Sequence, residues 1–167
     1  KYYLSLPNKI KIDMKLSIIT VNYNDAKGLQ RTIESVLCQT FHDYEFIVID
    51  GGSTDGSVEV IKRYEKYIDY WVSEQDGGIY PGMNKGLRQA KGEYVNFMNG
   101  GDCYHSSDVL EKIFSFDTNA DIITGAHAGS PHPNVGQNGI SMYDLYTGAV
   151  DHQASFIRRE LAMCHPY

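Results

Sequence analysis

Short runs rich in β-branched and aromatic residues alternate along this chain with segments whose apolar residues recur every three to four positions. That alternation constrains the fold more than any other feature. The first run, KLSIITV at 15–21, is a short apolar run rich in β-branched residues, the pattern of a buried strand. In AKGLQRTIESVLCQT, Leu29, Ile33, Val36 and Leu37 fall on one side of a helix, with Asp25 as its N-cap. YEFIVID at 44–50 is a second strand, followed by a helix over VEVIKRYEKY with Val58, Ile61 and Tyr64 on one side. DYWVSEQD at 69–76 is a third strand, and GGIYPGMNKGLRQA a third helix with Ile79, Met83 and Leu87 in phase and Pro81 in its first turn. EYVNFMN, a short helix over SSDVLEKIFSF capped by Ser106 or Ser107, and ADIITGA at 120–126 continue the series. HQASFIRREL reads as a strand turning into a helix. The expected fold is α/β, a mainly parallel, Rossmann-like sheet with helices on both faces.

Composition sets outer bounds. The 167 residues suit one domain with a sizeable core. A net charge of −6 with no basic stripe argues against a nucleic-acid binder. Cys38, Cys103 and Cys164 are far apart and form no metal-ligand spacing, so a reducing compartment is expected. No apolar run approaches 18 residues and no signal-peptide pattern opens the sequence. It starts without Met and stops abruptly at MCHPY, so a fragment is expected.

The informative feature is where the polar residues fall. Strand one ends at Asn22, Tyr23 and Asn24, strand two at Asp50, strand three at Glu74 and Asp76, and strand four at Asn99 and Asp102. In a parallel sheet these ends share one rim, where open α/β folds bind ligands. Carboxylates gathered there repel one another unless a cation or ligand donors meet them. Mg²⁺ or Mn²⁺, paired with the phosphates of a nucleoside diphosphate, would do so. Each residue alone also has a plainer reading. Asp50-Gly51-Gly52 is equally a turn, Asp55 a helix cap, and Asp102 a turn acid. Asn84 and Lys85 are equally a solvated helix face, His152 a core histidine, and Cys103 a small filler. The dinucleotide fingerprint, the P-loop and the nucleophile elbow are absent, which sets aside hydride transfer, P-loop NTPases and α/β-hydrolases.

LSIITVNYND, FIVIDGGSTDGS, DGGIYPGMNKGL, GEYVNFMNGGD and HQASFIRREL stand in the order found in family 2 glycosyltransferases, and residues 15–165 resemble that family. The resemblance implies the glycosyltransferase A fold and an enzyme of bacterial polysaccharide or capsule synthesis. It implies an inverting transfer from a nucleoside diphosphate sugar, often UDP-linked, to a saccharide or lipid-linked saccharide. It places Thr20, Val21, Asn22, Tyr23 and Asp50 at the base and ribose. Many relatives carry two successive acids in the second motif; here Gly51 holds the second place. Asp76, Asn84 and Lys85 match a motif near the nucleotide and sugar. Asp102 matches the metal-binding acid of the DXD motif, with Asn99 and Gly101 in its other places, and the implied ion is Mn²⁺ or Mg²⁺. His152-Gln153 matches a pair near the sugar or diphosphate. The general base in such enzymes follows the segment matched by HQASFIRREL, and is expected beyond Tyr167.

The expected organisation is a leader at 1–14, a nucleotide-sugar-binding half at 15–126 and part of an acceptor-side region at 127–167, with a long Gly/Pro-rich loop at 127–142. The expected setting is the cytoplasm, with peripheral association of the full enzyme at the inner face of a membrane. Two rival functions are a sugar-phosphate nucleotidyltransferase and a non-catalytic sugar-nucleotide-binding module. The first calls for a Gly-rich loop with a basic residue after strand one, where NYNDAKG stands.

Overall fold

The computed structural model describes residues 14–116, 119–125 and 152–167. The leader up to residue 13 and the loop expected at 127–142 lie outside them. Among the described residues one sheet holds β1 (Leu16–Asn22), β2 (Tyr44–Asp50), β3 (Tyr70–Ser73), β4 (Tyr94–Phe97), β5 (Ile122–Thr124) and β6 (Ser155–Arg158). Their order across the sheet is β3-β2-β1-β4-β6-β5. β1 to β4 run parallel, and β6 is antiparallel to both β4 and β5. The helices are α1 (Ala26–Leu37), α2 (Ser57–Tyr64), α3 (Ile79–Gln89), α4 (Val109–Phe114) and α5 (Arg159–Cys164).

The sheet separates two cores because successive strand residues face opposite ways. Leu16, Ile18, Phe46 and Val48 pack with Leu29, Ile33 and Val36 of α1, Val60 and Ile61 of α2, and Leu110 of α4. Ile19, Val21, Ile47 and Ile49 pack on the other side with Met83 and Leu87 of α3 and Ala162 of α5. Every residue of β1 is buried: Leu16, Ile18, Ile19 and Val21 pack in the two cores, and the side chains of Ser17, Thr20 and Asn22 donate hydrogen bonds to Glu45, the Met98 carbonyl and Asp50. Each fully buried Ile or Leu stabilises the fold by roughly 1.5–3 kcal/mol. The glycosyltransferase A type of architecture, a mainly parallel sheet covered on both faces, is present. Among the described residues no helix is long and apolar enough to cross a membrane.

Local expectations hold with three adjustments. Asp25 caps α1, its Oδ1 accepting the Gly28 amide at 2.9 Å. On α2 the buried apolar pair is Val60 and Ile61, while Val58 and Tyr64 are half-buried, because α2 meets α1 and β2 on a narrower stripe than the spacing suggested. α4 begins after Asp108, not after a serine cap. The Ser106 carbonyl accepts from Gln39 Nε2 and the Ser107 carbonyl from the Thr40 amide, which ties both serines to the end of α1. Ile79, in phase with Met83 and Leu87, is 47% exposed at the front of α3. It sits on the rim described next.

Candidate functional site

The parallel strands deliver their C-terminal ends to one rim, and hydrogen bonds lock the loops there together. Asp50, fully buried, lies at the centre. Its Oδ1 accepts from Asn22 Nδ2 at 2.9 Å and Ser53 Oγ at 2.6 Å. Its Oδ2 accepts from the Ser53 amide at 2.9 Å and Ser73 Oγ at 2.6 Å. Burial pushes this carboxyl upward, but the bonds from Ser53, Ser73 and Asn22 outweigh it and hold it below the ordinary aspartate value. One ionised group thereby joins the ends of β1, β2 and β3. A second set of bonds runs above it. The Asn24 amide donates to Ser53 Oγ, the Thr54 amide to Asn24 Oδ1, and the Ala26 amide to Asp55 Oδ2. Asp55 also accepts from Ser57, so it caps locally and ties the two loops.

Over this base opens a cleft of about 530 Å³. Val21, Asn22 and Tyr23 form one side, Gly51 and Gly52 the floor, and Gln75, Asp76, Gly77, Gly78 and Ile79 the other side. Tyr23 is 67% exposed and presents its ring at the mouth. Gly51 keeps the floor low: a Cβ there would stand 3.3 Å from both Asp76 Oδ1 and Tyr23 Cδ2. Asp76 Oδ1 accepts the Gly78 amide at 3.0 Å, while its Oδ2 is buried with no hydrogen-bond partner. Gly77 and Gly78 adopt φ of 83° and 126°, a left-handed path that glycine takes without strain and that turns the chain into α3.

The β4 end forms a neighbouring tip. The Gly100 amide donates to the Val21 carbonyl, and a Cβ at Gly100 would stand 2.6 Å from Asn22 Oδ1, so any larger residue would have to displace the Asn22 side chain. Gly101, at φ 99°, donates its amide to Thr32 Oγ1 on α1. Asp102 Oδ2 accepts the Asn99 amide at 3.1 Å, and the Asp102 carbonyl accepts from Thr32 Oγ1 at 2.8 Å. Asp102 is thus a turn acid, half-buried on the rim. Among the described residues no three His, Cys, Asp or Glu side chains converge as a metal cage. A lone carboxylate fits an ion that takes its remaining ligands from substrate phosphates and water, the usual habit of Mg²⁺.

Of the residues expected from sequence, Val21, Asn22, Tyr23, Gly51 and Asp76 share the cleft. Asp50 lies beneath it. Thr20 is buried in the sheet, its Oγ1 donating to the Met98 carbonyl at 2.6 Å. Asn99, Gly101 and Asp102 stand at the adjacent strand end. Lys85 pairs with Glu74 at 2.9 Å, and Asn84 is bonded to the backbone of Tyr167. The Gln153 carbonyl accepts from Asn96 Nδ2 in a short turn before β6, and the His152 side chain lies outside the described residues. Gly52, Gln75, Gly77, Gly78 and Ile79 were not expected to line the site. The Gly-Gly pair directly after the third strand was their available signal.

Residues 17–159 match the family model described as glycosyl transferase family 2. An uncharacterized glycosyltransferase of Mycobacterium tuberculosis is 43% identical over 98 residues, covering 58% of this chain and 37% of that protein. The poly(ribitol-phosphate) β-N-acetylglucosaminyltransferase TarP of Staphylococcus aureus is 35% identical over 120 residues, covering 68% and 36%. Among solved structures, S. aureus TarS 1–349 in complex with UDP-GlcNAc superposes with a TM-score of 0.71 at 22% identity, over 90% of this chain and 47% of that one. The Pyrobaculum calidifontis mannosyltransferase PcManGT, in complex with GDP-Man and Mn²⁺, gives 0.71 at 18% identity, over 92% and 47%. These two likenesses bear on the fold. The chain spans under two fifths of the length of the two curated relatives, 37% and 36%. With its parallel sheet, its rim cleft and a family match running from β1 into α5, the chain belongs to glycosyl transferase family 2.

Proposed function

We propose that this chain is the donor-binding part of an inverting, metal-dependent glycosyltransferase. It takes a sugar from a nucleoside diphosphate sugar, UDP-linked, and passes it to a hydroxyl of a saccharide or lipid-linked saccharide. The observation that carries this reading is the cleft in which Val21–Tyr23, Gly51 and Asp76 converge beside the Asp102 tip. The exposed Tyr23 ring offers a stacking face for a base, and the Asp76 carboxylate offers acceptors for base or ribose donors. Glycine floors let the backbone approach a diphosphate closely. The start of α3, whose first amides lack intrahelical partners, borders the same cleft and favours negative charge.

In the proposed reaction the acceptor oxygen forms a bond to the anomeric carbon as the bond from that carbon to the diphosphate oxygen breaks. The acceptor proton passes to a general base, which we place beyond Tyr167. Asp102 would hold Mn²⁺ or Mg²⁺, and the ion supplies positive charge for the leaving diphosphate. UDP-GlcNAc in one solved neighbour and GDP-Man with Mn²⁺ in another support a nucleoside diphosphate sugar donor and a divalent ion, and TarP, an N-acetylglucosaminyltransferase, among the relatives favours UDP as the carrier. The proposed setting is the cytoplasmic face of a membrane, where lipid-linked saccharides are extended.

The test is a screen of the full-length protein against UDP- and GDP-sugars with Mn²⁺. Release of UDP, lost in Asp102→Ala with the fold intact, is expected. Turnover unaffected by Asp102→Ala would contradict the assignment of the ion. Pyrophosphate release from an NTP and a sugar phosphate would favour a nucleotidyltransferase instead.

A further inference from the structure

Asn96, inside β4, is a fully buried polar residue. Its side chain lies on the same face of the sheet as those of Tyr94 and Met98, in the core shared with α1 and α4. A carboxamide in such a place persists only where its polar atoms are bonded. Its Nδ2 donates to the Ser155 carbonyl at 2.9 Å and to the Gln153 carbonyl at 3.1 Å. Its Oδ1 accepts from Tyr104 Oη at 2.8 Å. Donor bonds at one end of the amide and an acceptor bond at the other fix its orientation.

These partners belong to two separate turns. Tyr104 follows Asp102 by two residues, and the same turn is fastened to α1. There the Gly101 amide donates to Thr32 Oγ1, Thr32 Oγ1 to the Asp102 carbonyl, and the Tyr104 amide to Ser35 Oγ at 2.8 Å. Gln153 lies in the short turn His152–Ala154, and Ser155 begins β6. The Gly125 amide, just past β5, donates to the Ala154 carbonyl of that turn at 2.8 Å. The register of β4 with β6 covers Tyr94 and Val95, and at the next residue the Asn96 side chain carries the connection onward.

We propose that Asn96 is a positioning residue for the Asp102 turn. Its amide couples that turn, through Tyr104, to the backbone ahead of β6, so that the two turns hold their places together. It contacts no substrate. This rests on the reading above in which Asp102 holds the ion.

The experiment uses the full-length protein with Tyr104→Phe and Asn96→Ala. Tyr104→Phe keeps the ring and removes only the bond to Asn96 Oδ1, so it decides the matter even where Asn96→Ala does not fold. Three quantities are read: hydrogen exchange at the Tyr104-turn and Gly125 amides, UDP affinity without metal, and the Mn²⁺ dependence of turnover with the nucleotide sugar found in the screen above. In Tyr104→Phe the amides of residue 104 and of Gly125 should both exchange about tenfold faster, the effect of one lost bond, while the β1 amides keep their rates. Gly125 is the telling position, because only the Asn96 amide links it to the altered ring. The Kd for UDP without metal should stay within about threefold, and the Mn²⁺ concentration at half-maximal turnover should rise about tenfold, as for a displaced ligand. Asn96→Ala should do at least as much. Unchanged exchange at Gly125 in Tyr104→Phe would overturn the coupling, as would a uniform rise that includes β1. Faster exchange at Gly125 with the Mn²⁺ dependence unchanged would overturn the positioning role. If UDP does not bind the wild type, the donor-cleft reading fails, and exchange at Gly125 alone upholds or overturns the coupling.

Discussion

Asn22 and Asp50, which end neighbouring parallel strands, are joined side chain to side chain at 2.9 Å in the buried floor of the cleft. The bond makes the β1 and β2 ends one rigid wall. The Asp50 carboxylate accepts four hydrogen bonds, from Asn22, Ser53 and Ser73, and so ties together the rim beneath the cleft.

Asp50→Ala should therefore cost stability before it costs anything else. Stranding several buried donors should destabilise the fold by about 3 kcal/mol. Asp50→Asn, which presents an amide where acceptors are needed, should recover only part of it. Urea unfolding of the three proteins checks this. An alanine variant as stable as wild type would show that the buried network is not holding the rim.

Acid should act through the same group. Asp50 and Glu93 are both held below their ordinary values, Asp50 by Ser53, Ser73 and Asn22 and Glu93 by Lys15 and Arg158, in each case against the upward push of burial. The unfolded chain then binds more protons near pH 4. The stabilisation is fully present above the unfolded values, about 3.9 and 4.3, and is lost as pH falls through the lower folded ones. Unfolding free energy measured from pH 6 to pH 3 should drop, and the drop should be shallower in Asp50→Asn.

Tyr23→Ala should separate binding from folding. The ring is largely exposed, so stability should change by less than about 0.5 kcal/mol. Loss of a stacking face should lower UDP affinity by about tenfold, the equivalent of ~1.4 kcal/mol. Calorimetric titration with UDP measures the second effect and thermal unfolding the first.

Gly86→Ala tests the packing that brings α3 to the cleft. Gly86 is buried, and a methyl there would collide with the Ile19 side chain of β1. The expected cost is about 1–3 kcal/mol, as for other overpacked cores. A neutral result would mean α3 rides higher on the sheet than described.

The parallel strands and their order of helices were legible because each β-strand run is short, apolar and followed by a helical period. The antiparallel pairing of β6 between β4 and β5 was not. That pairing brings Ile122 opposite Ile157 and Val95 opposite the same residue, across separations that local pattern does not encode. In the site, Tyr23 and Asp76 were legible from their positions after strands. Asp50 was legible as a rim residue but not as a fully satisfied buried acid, since its partners Ser53 and Ser73 come from the loop after β2 and from the end of β3. The placement of Asn84 was not legible for a similar reason: its hydrogen-bond partner, Tyr167, is distant in sequence.

The most direct test of the central claim is amide chemical-shift mapping with UDP and Mg²⁺. The account predicts that shifts concentrate at Val21–Tyr23, Gly51–Gly52 and Gln75–Ile79, with the outer edge at Tyr67 and Trp71 unmoved. Saturable binding whose shifts avoid those three segments, or no binding in the full-length protein, would contradict it.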